Sequence, residues 1–166
     1  MIFDRFYIYS IILMCIILFY SYYYFSKNSK FKKIFEKISK NNIILYTISL
    51  IICYISFFIF IYYIYIKNIF SKDEIFTIFI FSKICIFFSI FLIPSYILYY
   101  HNNDKKIKYL IFIILLIIVL SCFGLLYTIY SIKDDTLLKI IVIIGLIYFL
   151  FHKFILDSGI YIHNFL

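Results

Sequence analysis

The sequence predicts an all-α protein, a polytopic integral membrane bundle of five transmembrane helices with a short basic amphipathic interfacial helix after the first span. Hydrophobic residues make up 66% of the 166 residues and charged residues only 14%, with a mean hydropathy of +1.08. A soluble domain is usually about 45–50% apolar and about 25% charged. The composition therefore excludes a cytosolic enzyme, a disordered tail and a disulfide-stapled secreted module.

Five apolar stretches are long enough to cross a hydrocarbon layer about 30 Å thick, which takes about 20 helical residues. We place these spans at about 6–26, 43–66, 75–100, 109–132 and 137–156. The first span ends without a small-residue cleavage signature, so we expect a retained helix and not a removed signal peptide. Residues 1–166 are expected to form a single membrane domain with its termini on opposite faces.

The distribution of charge predicts how the bundle is oriented. The connections at 27–42 and 101–108, with the tail from His152, carry ten Lys and three acids. The N-terminus and the connections at 67–74 and 133–139 carry five basic residues and five acids. Because basic residues in short loops stay on the cytoplasmic side, we expect the N-terminus outside and the C-terminus inside.

The connection after the first span contains the predicted interfacial helix, at about 30–40. Its apolar residues recur at positions i, i+3, i+4 and i+7, which places them on one helical face. Basic side chains surround that face and are expected to anchor the helix to an anionic inner leaflet: Lys30, Lys32, Lys33, Lys37 and Lys40. Each Lys near such a surface contributes roughly 1 kcal/mol to membrane binding.

Lys83 is the one formal charge set well inside a span. A central Lys costs about 2.5–3.5 kcal/mol on insertion, less than the Ile, Leu and Phe residues of the same span contribute together. Its ammonium group can snorkel to the interface, pair with an acid of a partner protein, or serve in an ion pathway or proton relay. No acidic residue lies inside another span, so an internal partner is not expected.

Small or weakly polar residues form stripes in three of the spans. Residues three or four apart share a helical face, and helices in lipid approach closely where side chains are small. We interpret the stripes as packing seams, with a polar pathway for a permeating solute as the alternative. The stripes comprise Ser49, Cys53 and Ser56 in the second span, Ser82, Cys85 and Ser89 in the third, and Ser121, Gly124, Thr128 and Ser131 in the fourth.

The sequence offers little equipment for catalysis or cofactor binding. His101 and His152 both map to the inner side, and two His residues on different helices at equal depth can hold a haem axially. Haem bound by this pair is the one cofactor considered, and otherwise no cofactor is expected. The four Cys lie within spans and in no C-x-x-C arrangement, so no metal site is predicted. Phosphate-binding glycine loops, H-E-x-x-H and G-x-S-x-G are missing, and no catalytic residue is assigned.

Three functions follow as hypotheses. The first is a noncatalytic accessory or assembly subunit of a larger membrane complex, because short loops leave mainly helix surfaces for recognition. The alternative is a small ion or solute channel or transporter, and the third is a membrane-bound haem or lipid-modifying enzyme. The expected partners are a bilayer with an anionic inner leaflet and other membrane protein subunits. Nucleic acid is not expected, because the basic excess is confined to loops that flank the membrane.

Overall fold

The computed structural model describes residues 2–27, 40–66, 70–102, 104–157 and 159. These residues form long α-helices and contain no strand, so the all-α prediction is confirmed for them. The helices are α1 (Ile2–Ser26), α2 (Lys40–Ile66), α3 (Lys72–Asn102), α4 (Lys105–Ser131) and α5 (Leu137–Phe151). A π-helical segment, His152–Asp157, continues α5 without a break.

The helices have the length and composition of membrane spans. Four stretches are long and apolar enough to cross a membrane, namely Ile43–Ile66, Lys72–Tyr99, Lys105–Ser131 and Leu137–Asp157. Within α1 the corresponding apolar stretch, Ile8–Tyr24, is shorter. The fold class agrees with the predicted membrane bundle, whereas its orientation stays a prediction. Most of the segment predicted as an interfacial helix lies outside the described residues, and Lys40 is the first residue of α2.

Local sequence signals fix where two of the helices begin. Ser71 and Glu74 form a capping box before α3, in which the backbone N–H of Glu74 donates to Ser71 Oγ at 3.2 Å. In return, Glu74 Oε2 accepts from the Ser71 backbone N–H at 2.7 Å. The Asp104 carboxylate caps α4 by accepting from the Lys106 backbone N–H at 2.8 Å. These bonds satisfy amide groups that have no partner within the helix.

The helices are arranged around a common centre. α1 packs on α3, α3 on α4, α4 on α5, and α5 on α2. α2 meets α1 through Tyr54 and Phe19, whose ring centroids are 4.4 Å apart. The spatial order α1, α3, α4, α5, α2 is therefore closed into a ring, and residues from all five helices can face the same interior.

Two glycines allow neighbouring helices to approach closely. A Cβ atom at Gly124 of α4 would lie 2.6 Å from the Phe81 ring of α3. A Cβ atom at Gly145 of α5 would lie 2.9 Å from Ser56 Cβ of α2. Both distances are too short for ordinary contacts between carbon atoms, so the absence of a side chain permits the α3–α4 and α2–α5 packing.

Candidate functional site

The small-residue stripes of α2 and α3 meet at a cavity in the centre of the ring. The cavity has a volume of about 50 Å³. Its lining includes five stripe residues and one charged side chain: Cys53, Ser56, Ser82, Cys85, Ser89 and Lys153. Apolar residues of α1, α4 and α5 complete the wall, among them Leu18, Leu125 and Leu146. Every described long helix thus contributes to one void.

The cavity lies near the middle of the predicted membrane thickness. Cys53 and Ser56 are ten and thirteen residues from the start of the apolar stretch Ile43–Ile66. At 1.5 Å per residue these positions are about 15 and 20 Å along a helix about 36 Å long. Cys85 is likewise close to the midpoint of Lys72–Tyr99. Substrate sites of membrane carriers characteristically lie at this depth.

The hydroxyl groups of the stripes differ in how they are satisfied. Ser121 Oγ donates to the Ile117 carbonyl at 2.8 Å within α4, and Thr128 Oγ1 donates to the Gly124 carbonyl at 2.8 Å. Ser82 is fully buried, and its Oγ has no hydrogen-bond partner among the residues that the structure describes. The α4 stripe lies outside the cavity lining and serves as a packing seam, whereas the α3 stripe lines the cavity and includes the unsatisfied hydroxyl of Ser82.

A buried ion pair borders the cavity where α5 passes into the π-helix. Lys153 Nζ donates to Asp157 Oδ2 at 2.8 Å, and the two residues are only 3% and 2% exposed. The Tyr46 hydroxyl of α2 donates to Asp157 Oδ1, also at 2.8 Å. Lys153 also lies over the Phe149 ring at 5.7 Å from its centroid, a cation–π contact that accompanies the ion pair.

His152 extends this cluster toward α2. Its Nδ1 lies 2.9 Å from Ser49 Oγ, which also accepts from the Tyr148 hydroxyl at 3.0 Å. Because Ser49 accepts from Tyr148, its own hydrogen can point to His152 Nδ1, which is then the acceptor and leaves the proton on Nε2. That nitrogen lies 3.7 Å from Asp157 Oδ1, within ion-pair range and beyond hydrogen-bond distance. Ser49, a stripe residue, therefore belongs to the polar cluster.

The arrangement corrects the sequence-based placement of the residues from His152 onward. The charge distribution predicts that they form a tail on the inner face, with Lys153 as one of its orienting charges. The predicted fifth span, 137–156, already includes most of these residues and agrees with the apolar stretch Leu137–Asp157, but His152, Lys153 and Asp157 are buried against the bundle and do not form a tail. An acid within the bundle therefore exists, although its partner is Lys153. π-helical turns are rare and often occur at functional sites.

Packed apolar side chains lie beyond the cavity, on the side of the connection between α4 and α5. Phe60, Tyr63, Ile78, Ile129 and Val142 are each no more than 2% exposed and belong to one apolar cluster. The Tyr63 hydroxyl donates to Asp134 Oδ2 at 2.9 Å, in the connection between α4 and α5. We refer to this side as the Asp134 end and to the side of the ion pair as the Asp157 end.

Other predicted positions lie away from the cavity. Lys83 is half-buried on α3 and is not part of the cavity lining. The His101 side chain and the side chains of the predicted lysine anchor lie outside the described part, so the haem and anchor hypotheses stay predictions. In the residues described, no three His, Cys, Asp or Glu side chains are grouped so that they could hold a metal ion.

Sequence reasoning missed Lys153, Asp157, Tyr46 and Tyr148 as candidate functional residues. One signal is present, because Lys153 and Asp157 are four residues apart and can pair on a single helical face. On a solvated tail, such a pair has little significance. The contributions of the two tyrosines depend on α2 packing beside α5, which no local pattern reveals.

Comparison with known proteins adds no further assignment. No protein-family model, no curated protein and no solved structure matches this chain. The candidate site is therefore argued from its own geometry, that is, a central cavity lined by Ser82 and Lys153 and bordered by the Lys153–Asp157 pair.

Proposed function

We propose that the protein is a small membrane channel or carrier that passes a small polar solute through the centre of its helix bundle. The observation that supports this proposal is the mid-depth cavity, which all five described helices line and whose lining residues include Ser82 and Lys153. A largely apolar cavity with a few convergent polar groups has the general form of a ligand site. Ionisable groups at membrane depth are costly and usually functional.

The polar groups at the cavity are difficult to account for by packing alone. A seam needs small side chains whose hydroxyls are satisfied within their own helix, as Ser121 and Thr128 are. Ser82 instead leaves a buried hydroxyl without a described partner. Such a group costs about 1–3 kcal/mol, and a polar solute in the cavity would recover part of this cost.

The two ends of the cavity suggest how passage is controlled. Apolar side chains are packed at the Asp134 end, and the ion pair and its tyrosine partner lie at the Asp157 end. A solute must displace one barrier and then the other, which is the behaviour of a carrier or of a gated channel. We expect the ion-paired end to open more readily, because polar side chains can exchange protein partners for water.

The first hypothesis from the sequence, a noncatalytic subunit of a larger complex, stays a prediction, as do its protein partners. A subunit role uses the lipid-facing surfaces of the helices, whereas solute passage uses the cavity in the interior. One protein can therefore have both roles. The predicted orientation places the Asp157 end on the inner side. We adopt this placement as part of the proposal.

The proposal is tested by solute flux into liposomes that contain the purified protein. The probes are chloride, potassium, urea and glycerol, each compared with protein-free liposomes. Ser89→Leu places a larger side chain at the cavity wall and is expected to reduce flux of the permeant probe at least tenfold. Ser131→Leu, at an exposed position on α4 away from the cavity, is the matched control and should leave flux unchanged. If no probe enters faster than into empty liposomes, or if Ser89→Leu has no effect, the proposal is wrong.

A further inference from the structure

We propose that Cys85 of α3 and Cys122 of α4 form a redox-active thiol pair, which a small hydroperoxide oxidises to a disulfide that links the two helices. This inference is independent of the proposed passage of a solute. Three observations support it, namely the contact between the two sulfur atoms, the close approach of the helices that carry them, and the position of Cys85 at the central cavity.

The two sulfur atoms are in direct contact. Cys85 Sγ and Cys122 Sγ are 3.7 Å apart, and both side chains are buried as free thiols. A disulfide bond is about 2.05 Å long, so the sulfur atoms have to approach by about 1.7 Å to form one. Rotation of the two side chains and a small shift of the helices supply this approach. Within the described helices, neither Cys15 nor Cys53 has another sulfur atom at this distance.

The helices that carry the pair approach each other closely at the same level. A Cβ atom at Gly124 of α4 would lie 2.6 Å from the Phe81 ring of α3. Phe81 is four residues before Cys85, and Gly124 is two residues after Cys122. The two contacts therefore lie within about one helical turn of each other. No bulky side chain separates the two thiols, which belong to one buried apolar cluster.

The chain by itself does not select this pair. Cysteines that are neighbours in the sequence are separated by 38, 32 and 37 residues, in the order Cys15, Cys53, Cys85 and Cys122. The entropy of closing a loop changes slowly with its length, so an unfolded chain would join these neighbouring pairs with similar ease. A preference for Cys85 with Cys122 would therefore be a property of the fold.

The position of Cys85 at the cavity sets the order of the reaction. Cys85 lines the cavity and Cys122 does not, so a reagent in the cavity meets Cys85 first. With hydrogen peroxide, Cys85 Sγ attacks one oxygen, the O–O bond breaks, and the thiol proton leaves with the other oxygen as water. Cys85 is then a sulfenic acid, which condenses with a neighbouring thiol to a disulfide.

Cys122 is the neighbouring thiol in this second step. Its Sγ attacks Cys85 Sγ, and its proton leaves with the sulfenic oxygen as a second water molecule. The two thiols thereby lose two electrons and two protons, and hydrogen peroxide gains both. The disulfide holds α3, whose small-residue face lines the cavity, against α4. A dithiol reductant reverses the reaction by thiol–disulfide exchange.

The test oxidises the folded protein and identifies the linked cysteines. The purified chain is reduced in mild detergent, freed of reductant, treated with hydrogen peroxide and then alkylated in denaturant. Mass spectrometry should show the Cys85–Cys122 cross-link at least tenfold more often than any other cysteine pair. Protein that is unfolded before oxidation should lose this preference. A dithiol reductant should restore both thiols.

Thermal unfolding gives a second measurement on the same samples. A cross-link between residues 37 apart constrains the unfolded chain and should raise Tm by about 8–16 °C. The double variant Cys15→Ser with Cys53→Ser retains the pair and should show the same cross-link and the same rise. Cys85→Ser and Cys122→Ser each remove one sulfur atom, and peroxide should not raise their Tm.

Two results would overturn the proposal. One is a folded protein in which Cys85 and Cys122 are not linked, or are linked no more often than other cysteine pairs. The other is a cross-link that leaves Tm unchanged or lowers it, because the helices would then have to separate for the bond to form. Neither result bears on solute passage, since flux is measured on the reduced protein.

Discussion

The buried ion pair between Lys153 and Asp157 allows the packing of the bundle to be tested through stability. The two side chains are 4% and 2% exposed, and their charged atoms are 2.8 Å apart. Replacing Asp157 with Leu leaves the ammonium group buried without its carboxylate, and the Tyr46 hydroxyl loses its acceptor. Removing one partner of a buried pair costs about 3–5 kcal/mol.

The double variant, Lys153→Met with Asp157→Leu, is expected to behave differently from either single variant. It removes both charges together and fills the space with apolar side chains, a change that is often neutral or stabilising by about 1–4 kcal/mol. The double-mutant cycle should therefore show a coupling energy of several kcal/mol, far above the few tenths expected between independent sites.

Thermal unfolding in detergent, followed by circular dichroism, measures these effects. For a chain of this size about 1 kcal/mol corresponds to a shift in Tm of about 2–4 °C, so each single variant should lose about 6–20 °C. Lys133→Met, at an exposed Lys, is the control and should shift the free energy of unfolding by no more than about 0.5 kcal/mol. If the single variants lose less than about 1 kcal/mol of unfolding free energy, the ion pair is not buried, because exposed ion pairs contribute no more than that.

Three further predictions concern other parts of the bundle. Gly124→Val forces a side chain against the Phe81 ring and should destabilise the protein by about 1–3 kcal/mol in thermal unfolding; an unchanged Tm would refute the close α3–α4 contact. Tyr63→Phe loses a hydrogen bond to the Asp134 carboxylate and should cost about 1.5–3 kcal/mol in the same assay, and a neutral result would mean that this bond is not formed. Lys83→Leu should change solute flux less than twofold, because Lys83 does not line the cavity; a large loss would place it on the pathway.

The helices could be predicted from sequence because their signal is local. The second predicted span, 43–66, matches the apolar stretch Ile43–Ile66. The fourth, 109–132, begins four residues after and ends one residue after the stretch Lys105–Ser131. A helix that crosses the hydrocarbon layer needs about 20 apolar residues, and such stretches can be read directly from the sequence.

The cavity was only partly predictable. The spacing of Ser82, Cys85 and Ser89 places them on one face of α3, and the structure shows that face at the cavity. The same spacing in α4 also predicts a packing seam, but that seam lies away from the cavity. Which helical faces meet depends on the order of the helices around the ring. That order is set by packing between distant segments, which a periodic pattern does not encode.

The ion pair could not be predicted from local pattern. Lys153 follows an apolar span, where a basic residue normally faces the aqueous phase and helps to orient the protein. Its burial depends on α5 continuing as a π-helix and on Tyr46 of α2 supplying a hydrogen bond to Asp157. Both features arise only once the bundle has assembled.

The native cysteines give the most direct test of the claim that solute passes through the central cavity. Cys53 lines the cavity, whereas Cys122 is equally buried and does not. Two variants that each retain one of these cysteines are reconstituted and treated with methyl methanethiosulfonate, a small neutral thiol reagent. Labelling is measured by mass spectrometry and flux by the liposome assay. We predict that Cys53 is labelled at least tenfold faster than Cys122 and that its labelling blocks flux. Equal labelling rates, or flux that persists when Cys53 is fully labelled, would contradict passage through this cavity.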